Sequence, residues 1–262
     1  MIRTIIKNRY LLGQLTRKDI ELKYKDSVLG MLWSVIVPIL MIVIYTFVFS
    51  VVFRPQWISD TGSKFEFSLI MYCGLVAFNM LSDVMARSSG LIAANANYVK
   101  KVIFPLELLP VMITLTALFN SFISLIVLVI AKFILTHTVS VTLPLVVVVY
   151  IPLVIFTVGV SLMLSAMSVY LKDIASVISV VITVLMYVSP VFFSLESVPE
   201  SYRIICEINP MTYMIENFRN VVLYGTMPNW LYLVISFVIA IVMAWLGGTI
   251  FRRAKEGFAD VL

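Results

Sequence analysis

Long uncharged apolar runs alternate with short charged intervals along the chain: Ser27–Phe53, Phe67–Ser82, Leu108–Ala131, Phe133–Leu171, Ile174–Leu195 and Asn220–Phe251. A helix needs about 20 apolar residues to cross a hydrocarbon core, so the pattern predicts six spans. The fourth run is the longest, but it opens on Thr136, His137, Thr138, Ser140 and Thr142, followed by Pro144. That opening reads as a polar connection and leaves one helix, because two helices and a turn would need about 40 residues or more. The second run is short for a span, so it extends toward Asp83 or is surrounded by protein. The expected spans are therefore 29–53, 66–83, 107–131, 143–171, 174–195 and 230–251. Residues 1–28 precede them as an interfacial helix, 196–229 form an outer region of short helices, and 252–262 form a tail.

Composition agrees with this pattern: 61% of residues are apolar and 13% charged, against roughly 45–50% and 25% in soluble domains. Mean hydropathy is +1.06, which excludes a soluble enzyme carrying one anchor. The segments left outside the spans are too short to build a core of their own. The charged, amphipathic N-terminal stretch has no cleavable-leader pattern, so the first span is expected to direct insertion. Six spans place both termini on one side, together with Arg3, Lys7, Arg9, Arg17, Lys18, Lys23, Lys25, Arg87, Lys100, Lys101, Lys172, Arg252, Arg253 and Lys255. Only Arg54, Lys64, Lys132, Arg203 and Arg219 fall on the other side. This asymmetry assigns both termini to the cytoplasm. The net charge of +5 and pI near 9.2 thus reflect topology; charges split among short loops make no nucleic-acid surface.

Ionisable groups are nearly absent from the runs themselves. Asp83 and Glu107 stand at span ends, and Lys172 with Asp173 makes the turn between the fourth and fifth spans. Such groups normally mark proton and ion paths, so an ion-coupled carrier has little to work with. The single histidine, His137, is read as a solvated loop residue, and Cys73 and Cys206 as packing residues, the latter in a loop. No metal cluster or catalytic set emerges. No Gly-x-x-x-x-Gly-Lys-Ser/Thr motif occurs either, so an energy source based on ATP would lie on another chain.

Four segments carry more information. In the N-terminal region Ile2, Ile5, Ile6, Leu12 and Leu15 recur at near-helical spacing, which suits a helix in the membrane interface. Arg17/Glu21 and Glu21/Lys25 at i,i+4 support its second half. Residues 87–101, Arg87-Ser-Ser-Gly-Leu-Ile-Ala-Ala-Asn-Ala-Asn-Tyr-Val-Lys-Lys101, are polar enough for the cytoplasm, with Asn95 or Asn97 as a cap for the later part. Between Asn209-Pro210 and Gly225, Met211, Met214, Ile215, Phe218, Val221 and Val222 repeat at i, i+3, i+4, i+7. Asn209 suits an N-cap, Pro210 the first helical residue and Gly225 the position past a helix end. This predicts an amphipathic outer helix of about three turns. Finally Tyr45, Phe49 and Phe53 fall on one stripe of the first span and Tyr187 lies in the fifth. Aromatic rings in that arrangement suit either the apolar faces of sugars on a sliding path or ordinary helix packing and interfacial belts.

Three ordered motifs carry a family resemblance over essentially the whole chain. Arg17-Lys-Asp-Ile-Glu-Leu-Lys-Tyr24 leads to Leu29-Gly30, Trp33 and Pro38, which opens the first span. Val169-Tyr-Leu-Lys-Asp-Ile174 forms the short turn between the fourth and fifth spans. Asn209-Pro-Met-Thr-Tyr-Met-Ile-Glu-Asn-Phe-Arg219 followed by Leu223-Tyr-Gly225 precedes the last span. Together they resemble the ABC-2 class of ABC-transporter permeases, in particular exporters of lipid-linked cell-surface polysaccharides. The resemblance implies an all-α protein of the bacterial cytoplasmic (inner) membrane that forms a homodimeric channel between first and fifth helices. It also implies two copies of a separate ATPase that binds ATP and Mg, with no cofactor on this chain. Asn95, Asn97, Tyr98, Lys100 and Lys101, with Lys172 and Asp173, become ATPase-coupling candidates. Asn209, Pro210, Met211, Met214, Ile215 and Phe218 become the outer gate, with a rigid plug as the competing reading. Arg17, Lys18, Lys23 and Lys25 are candidates for a polyprenyl-pyrophosphate headgroup, though they also satisfy the positive-inside rule. O antigen, capsule and teichoic acid all fit as cargo. A drug or small-lipid exporter and a membrane-embedded transferase are the competitors.

Overall fold

The computed structural model describes residues 2–25, 27–48, 64–100, 104–171 and 173–261, and regular structure within them is helical throughout. Two helices, α1 (Ile2–Lys7) and α2 (Arg9–Tyr24), replace the single N-terminal helix expected, with the break at Asn8. A 3-10 turn, Gly30–Leu32, begins with Gly30 at φ 52 and leads into α3 (Trp33–Phe47). Pro38 therefore lies inside α3 and does not open it. The chain continues through α4 (Lys64–Ser88), the short α5 (Leu91–Ala94) and α6 (Ala96–Val99), then α7 (Leu108–Thr136), α8 (Val146–Tyr170) and α9 (Ile174–Val188). Next come α10 (Glu200–Ile208), α11 (Pro210–Arg219), a π-turn over Asn220–Tyr224, α12 (Trp230–Ala254) and α13 (Phe258–Val261).

Among the described residues five helical stretches are long and apolar enough to cross a membrane: Gly30–Phe47, Phe67–Ser88, Leu108–Thr136, Leu143–Tyr170 and Trp230–Val261. The chain is an integral membrane protein. The fifth expected span differs: α9 is apolar but only 15 residues long, about 22 Å. It stops at Val188 because Ser189 precedes a proline, which drives its ψ to 145 and out of helical space. Two other boundaries move outward. The second span runs on to Ser88, because Asp83 and Arg87 find charged partners on α2 and do not end the helix. The third continues past Lys132 to Thr136, because that lysine is buried and paired. His137, exposed as expected, closes α7 in the left-handed region at φ 53, its N–H bonded to Phe133 O at 2.9 Å. Cys73 and Cys206 are both buried and free, although Cys206 belongs to α10 and not to a loop.

Helices α4 and α8 form the centre, with 72% and 61% of their spanning windows buried, whereas only 11% of the α3 window is covered. The longest seam joins α8 to α12 through glycine. A Cβ on Gly159 would lie 2.6 Å from the backbone nitrogen of Ala244, and one on Gly247 would collide with the carbonyl of Gly159. Lipid tails supply no hydrophobic drive between helices, so close backbone approach at small residues is how such a seam gains its packing.

Gly247→Val in detergent-purified protein is expected to lower unfolding stability by about 3 kcal/mol through overpacking. Gly13→Ala, where a Cβ meets open space on α2, is expected to raise it by roughly 0.5–1 kcal/mol. Thermal unfolding monitored by circular dichroism distinguishes the two.

Candidate functional site

At one end of the bundle, α11 is seated among α4, α8 and α12. Asn209 caps it as the sequence predicts, its side-chain oxygen accepting from the Met211 N–H at 3.0 Å while its amide nitrogen donates to Ser189 Oγ at 2.8 Å. Pro210 is the first helical residue, and Gly225 ends the following turn at φ 67. Met211, Met214, Ile215, Phe218, Val221 and Val222 are all buried, with the Phe218 ring edge-on to Tyr150 at 4.7 Å. The wet face is narrower than expected: Thr212, Asn217 and Arg219 are buried as well, while Tyr213, Glu216 and Asn220 are partly exposed.

Most polar groups on that face have partners outside their own helix, several of them on the broken backbone after α9 and before α12, whereas Asn217 Nδ2 is buried with no partner among the described residues. Arg219, 2% exposed, donates from Nη2 to Val191 O (2.9 Å), from Nη1 to Phe193 O (3.3 Å) and Glu216 Oε1 (3.0 Å), and from Nε to Ile70 O (3.4 Å). Burial pushes the Glu216 carboxyl up from its ordinary pKa, against the pull of Arg219. Gly74 makes room for the guanidinium, since a Cβ there would sit 3.4 Å from Nη2 and 3.3 Å from Val191 Cα. Thr212 Oγ1 donates to Cys206 O, and Asn217 Oδ1 accepts from the Asn229 N–H at 2.7 Å.

The end of this segment is fastened from the α7–α8 connection. Lys132 Nζ donates to Leu223 O (2.7 Å), Val222 O (3.2 Å) and Ser140 Oγ (2.6 Å), and Ser140 and Thr142 add bonds to Val222 O (2.8 Å) and Val221 O (2.9 Å). These carbonyls follow the last turn of α11, where intrahelical donors run out. Helix α10, in contrast, buries only Cys206 and leaves Tyr202, Ile204, Ile205 and Ile208 exposed. The structure thus separates a fixed α11 from a lightly held α10.

At the opposite end, α2 lies against the tips of α4 and α7. Arg87 Nη2 reaches both carboxylate oxygens of Asp19 at 2.6 and 2.7 Å, Lys23 Nζ reaches Asp83 at 3.3 Å, and the Tyr24 hydroxyl donates to Asn120 Oδ1 at 2.9 Å. The Tyr24 phenol is pushed up from its ordinary pKa by burial and by Asp83. Between α2 and the α5–α6 corner lies a groove of about 530 Å³ whose walls include Lys18, Asp19, Arg87, Asn95 and Tyr98. Two coupling candidates therefore share one groove with the N-terminal helix. Asn95 does not cap α6: its side-chain nitrogen turns back to Leu91 O at 2.9 Å. Tyr98 stacks on Phe104 at 4.4 Å, while Asn97 and Lys100 point to solvent. Asp173 is exposed at the start of α9, its backbone carbonyl accepting from Ser176 and Val177. Lys101 and Lys172 lie outside the described residues.

The other candidate sets are only partly assembled. Of the four cations proposed for a headgroup, Arg17 pairs with Glu21 at 2.9 Å and Lys23 with Asp83, while Lys18 and Lys25 line one shallow groove beside Gly30 and Met31. No Glu21–Lys25 pair forms among the described residues. Of the aromatic stripe, Phe49 and Phe53 lie outside the described residues. Tyr45 lines a cavity of about 420 Å³ with Tyr72, Trp33, Asn79, Asn120 and Ser124, and exposed Tyr187 lies outside it beside Phe192. Sequence reasoning missed Lys132 as a structural donor. Its only visible signal was a lone basic residue interrupting an otherwise apolar stretch.

Comparison with known proteins bears on the same elements. The family model described as ABC-2 type transporter matches residues 10–223. The chain is similar to two proteins named O-antigen export system permease protein RfbA from Klebsiella pneumoniae, at 30% and 28% identity, each over 98% of this chain and 99% of the relative. It is similar at 26% identity to a protein of the same name from Myxococcus xanthus, over 99% of this chain and 98% of the relative. The matched stretch covers α2 from its second residue, then α3, α4, α7, α8 and α9, and the seated helix α11, so the chain belongs to the ABC-2 type transporter family.

Proposed function

We propose that the protein is the channel-forming permease subunit of an ATP-driven exporter that carries polyprenyl-pyrophosphate-linked polysaccharide, O antigen in the first instance, across the cytoplasmic membrane. The observation that carries this reading is similarity over nearly the full length to proteins named for O-antigen export. Teichoic acid and capsule are the alternative cargoes. In this reading two copies of the chain pair along the sparsely covered α3 and the exposed face of α9 (Val177, Val180, Val184), and α9 completes a sixth crossing with help from its neighbours. Both termini are cytoplasmic.

The chain performs no hydrolysis of its own. A separate ATPase, with its ATP and Mg, docks at the groove between α2 and α5–α6, where Asn95 and Tyr98 meet Lys18 and Arg87. Closure of the ATPase pair pushes on this corner, and α2 transmits the push through Asp19–Arg87 and Lys23–Asp83 to α4. A rigid lever is needed because packed elements move as units. At the outer end the tightly bonded α11 serves as the seat of the gate and α10 as its moving leaf, with Pro199 and Asn209 bounding the leaf.

Deleting this chain in its host is expected to abolish surface polysaccharide and leave the lipid-linked form on the cytoplasmic side, with export restored by the wild-type chain. Unchanged surface polysaccharide contradicts the reading. Tyr98→Ala, which removes the stack on Phe104, is expected to weaken capture of the partner ATPase by roughly threefold to tenfold, measured by titrating immobilised permease with the ATPase. Lys132→Met leaves carbonyls at the end of α11 unmet and is expected to lower unfolding stability by about 2–3 kcal/mol. Exposed Lys100→Met should leave thermal unfolding unchanged.

A further inference from the structure

We propose that the groove between α1 and the turn after α12 is a binding site for the phosphodiester headgroup of an anionic bilayer phospholipid. The groove has a volume of about 910 Å³, and its charged lining is Arg3, Lys7, Glu107, Lys255 and Glu256, with Asn8 beside them. This proposal rests on the membrane embedding of α7 and α12 and is independent of the cargo.

The depth of the groove is set by its floor. Glu107 immediately precedes Leu108, the first residue of α7, and Lys255 immediately follows Ala254, the last of α12. The groove therefore opens where two apolar helices leave the hydrocarbon, which is the level of lipid phosphate. Helix α1, which forms its other wall, presents Ile6, 63% exposed, with nothing in the protein to cover it, and Tyr10 in the first turn of α2 is 77% exposed. Such a pattern of apolar side chains beside basic ones belongs to a helix lying in the interface.

The charge inside the groove selects the ligand. Lys255 Nζ lies 2.5 Å from Glu107 Oε1, so that pair is internally balanced. Arg3 and Lys7, spaced i,i+4, make no ion pair among the described residues, and exposed Glu256 opposes them. Three cations against two carboxylates leave a surplus of one positive charge. A phosphodiester carries a single negative charge and matches it. A pyrophosphate or nucleotide would bring several negative charges toward Glu107 and Glu256. The Arg3 guanidinium supplies a planar fork for two phosphate oxygens, and a basic pocket at the cytoplasmic ends of helices is a recurrent way of holding such headgroups.

The test is native mass spectrometry of the purified permease titrated with phosphatidylglycerol or phosphatidylcholine. Wild type is expected to retain one phosphatidylglycerol per chain in preference to phosphatidylcholine. The double variant Arg3→Gln/Lys7→Gln should weaken that retention by about thirty-fold, while Arg9→Gln/Arg253→Gln, which removes the same charge from exposed positions at the same end, should not. Unchanged thermal unfolding in phosphatidylcholine alone confirms that the variants are folded. Equal loss in both double variants, equal retention of the two lipids by wild type, or displacement of phosphatidylglycerol by inorganic pyrophosphate at low concentration would each overturn the proposal.

Discussion

One buried guanidinium organises the half of this protein that surrounds α11. Inside a bilayer, backbone carbonyls that leave helical geometry have no water to bond, and each unmet group costs several kcal/mol. The chain breaks helical geometry after α9, at Ser189–Ser194, and Arg219 reaches back from α11 to meet Val191 O, Phe193 O and the Ile70 carbonyl of α4. Lys132 does the same for Val222 and Leu223 at the end of the segment. Two cations thus allow a short helix to sit within the bundle where otherwise only a full span could. Their own burial is offset by these bonds, and for Arg219 by the Glu216 carboxylate at 3.0 Å.

The opposite end is built differently. Its ties are ion pairs nearer to water: Lys23–Asp83 with side chains 36% and 33% exposed, Arg87–Asp19 at 27% and 16%, and Lys255–Glu107 at 39% and 7%. The most exposed of these, Lys23–Asp83, adds little to stability, whereas the bidentate Arg87–Asp19 pair fixes α2 on α4. In the proposed exporter, a firm seat at α11 and a corner at α2 held by ion pairs suit a machine driven from one end. In that proposal, force applied near α2, α5 and α6 shifts those elements while the α8–α12 glycine seam and the α11 seat hold their geometry. The ionisable groups that the spans do contain, Asp83, Arg87 and Lys132, are held by partners within the protein, which agrees with the proposal that a partner supplies the energy.

Much of the architecture was legible because the bilayer imposes a simple code of apolar length and charge placement. Even the fine punctuation of α11 was readable: Asn209 as cap, Pro210 as first residue and Gly225 past the end each follow from local backbone chemistry. What escaped was long-range. Lys132 and Arg219 were counted as charges on the outer side, and nothing near them in sequence shows that their acceptors come from other helices and turns. The same blindness placed span ends at Asp83 and just before Lys132, where the helices run through because each charge has a partner elsewhere. Gly159 and Gly247 look like any glycines in apolar helices until two backbones are seen in contact. The coupling set was half legible: composition picked out residues 87–101, but the groove that joins Tyr98 and Asn95 to α2 exists only in three dimensions.

The central claim is that this chain forms a passive path that a separate ATPase drives. Its most direct test is transport by purified components in inside-out proteoliposomes containing the permease, its partner ATPase and lipid-linked polysaccharide. The account predicts that polysaccharide becomes protected in the vesicle lumen only when ATP, Mg and both proteins are present. Protection that proceeds without ATP, or a complex that hydrolyses ATP while moving no polysaccharide, would contradict it.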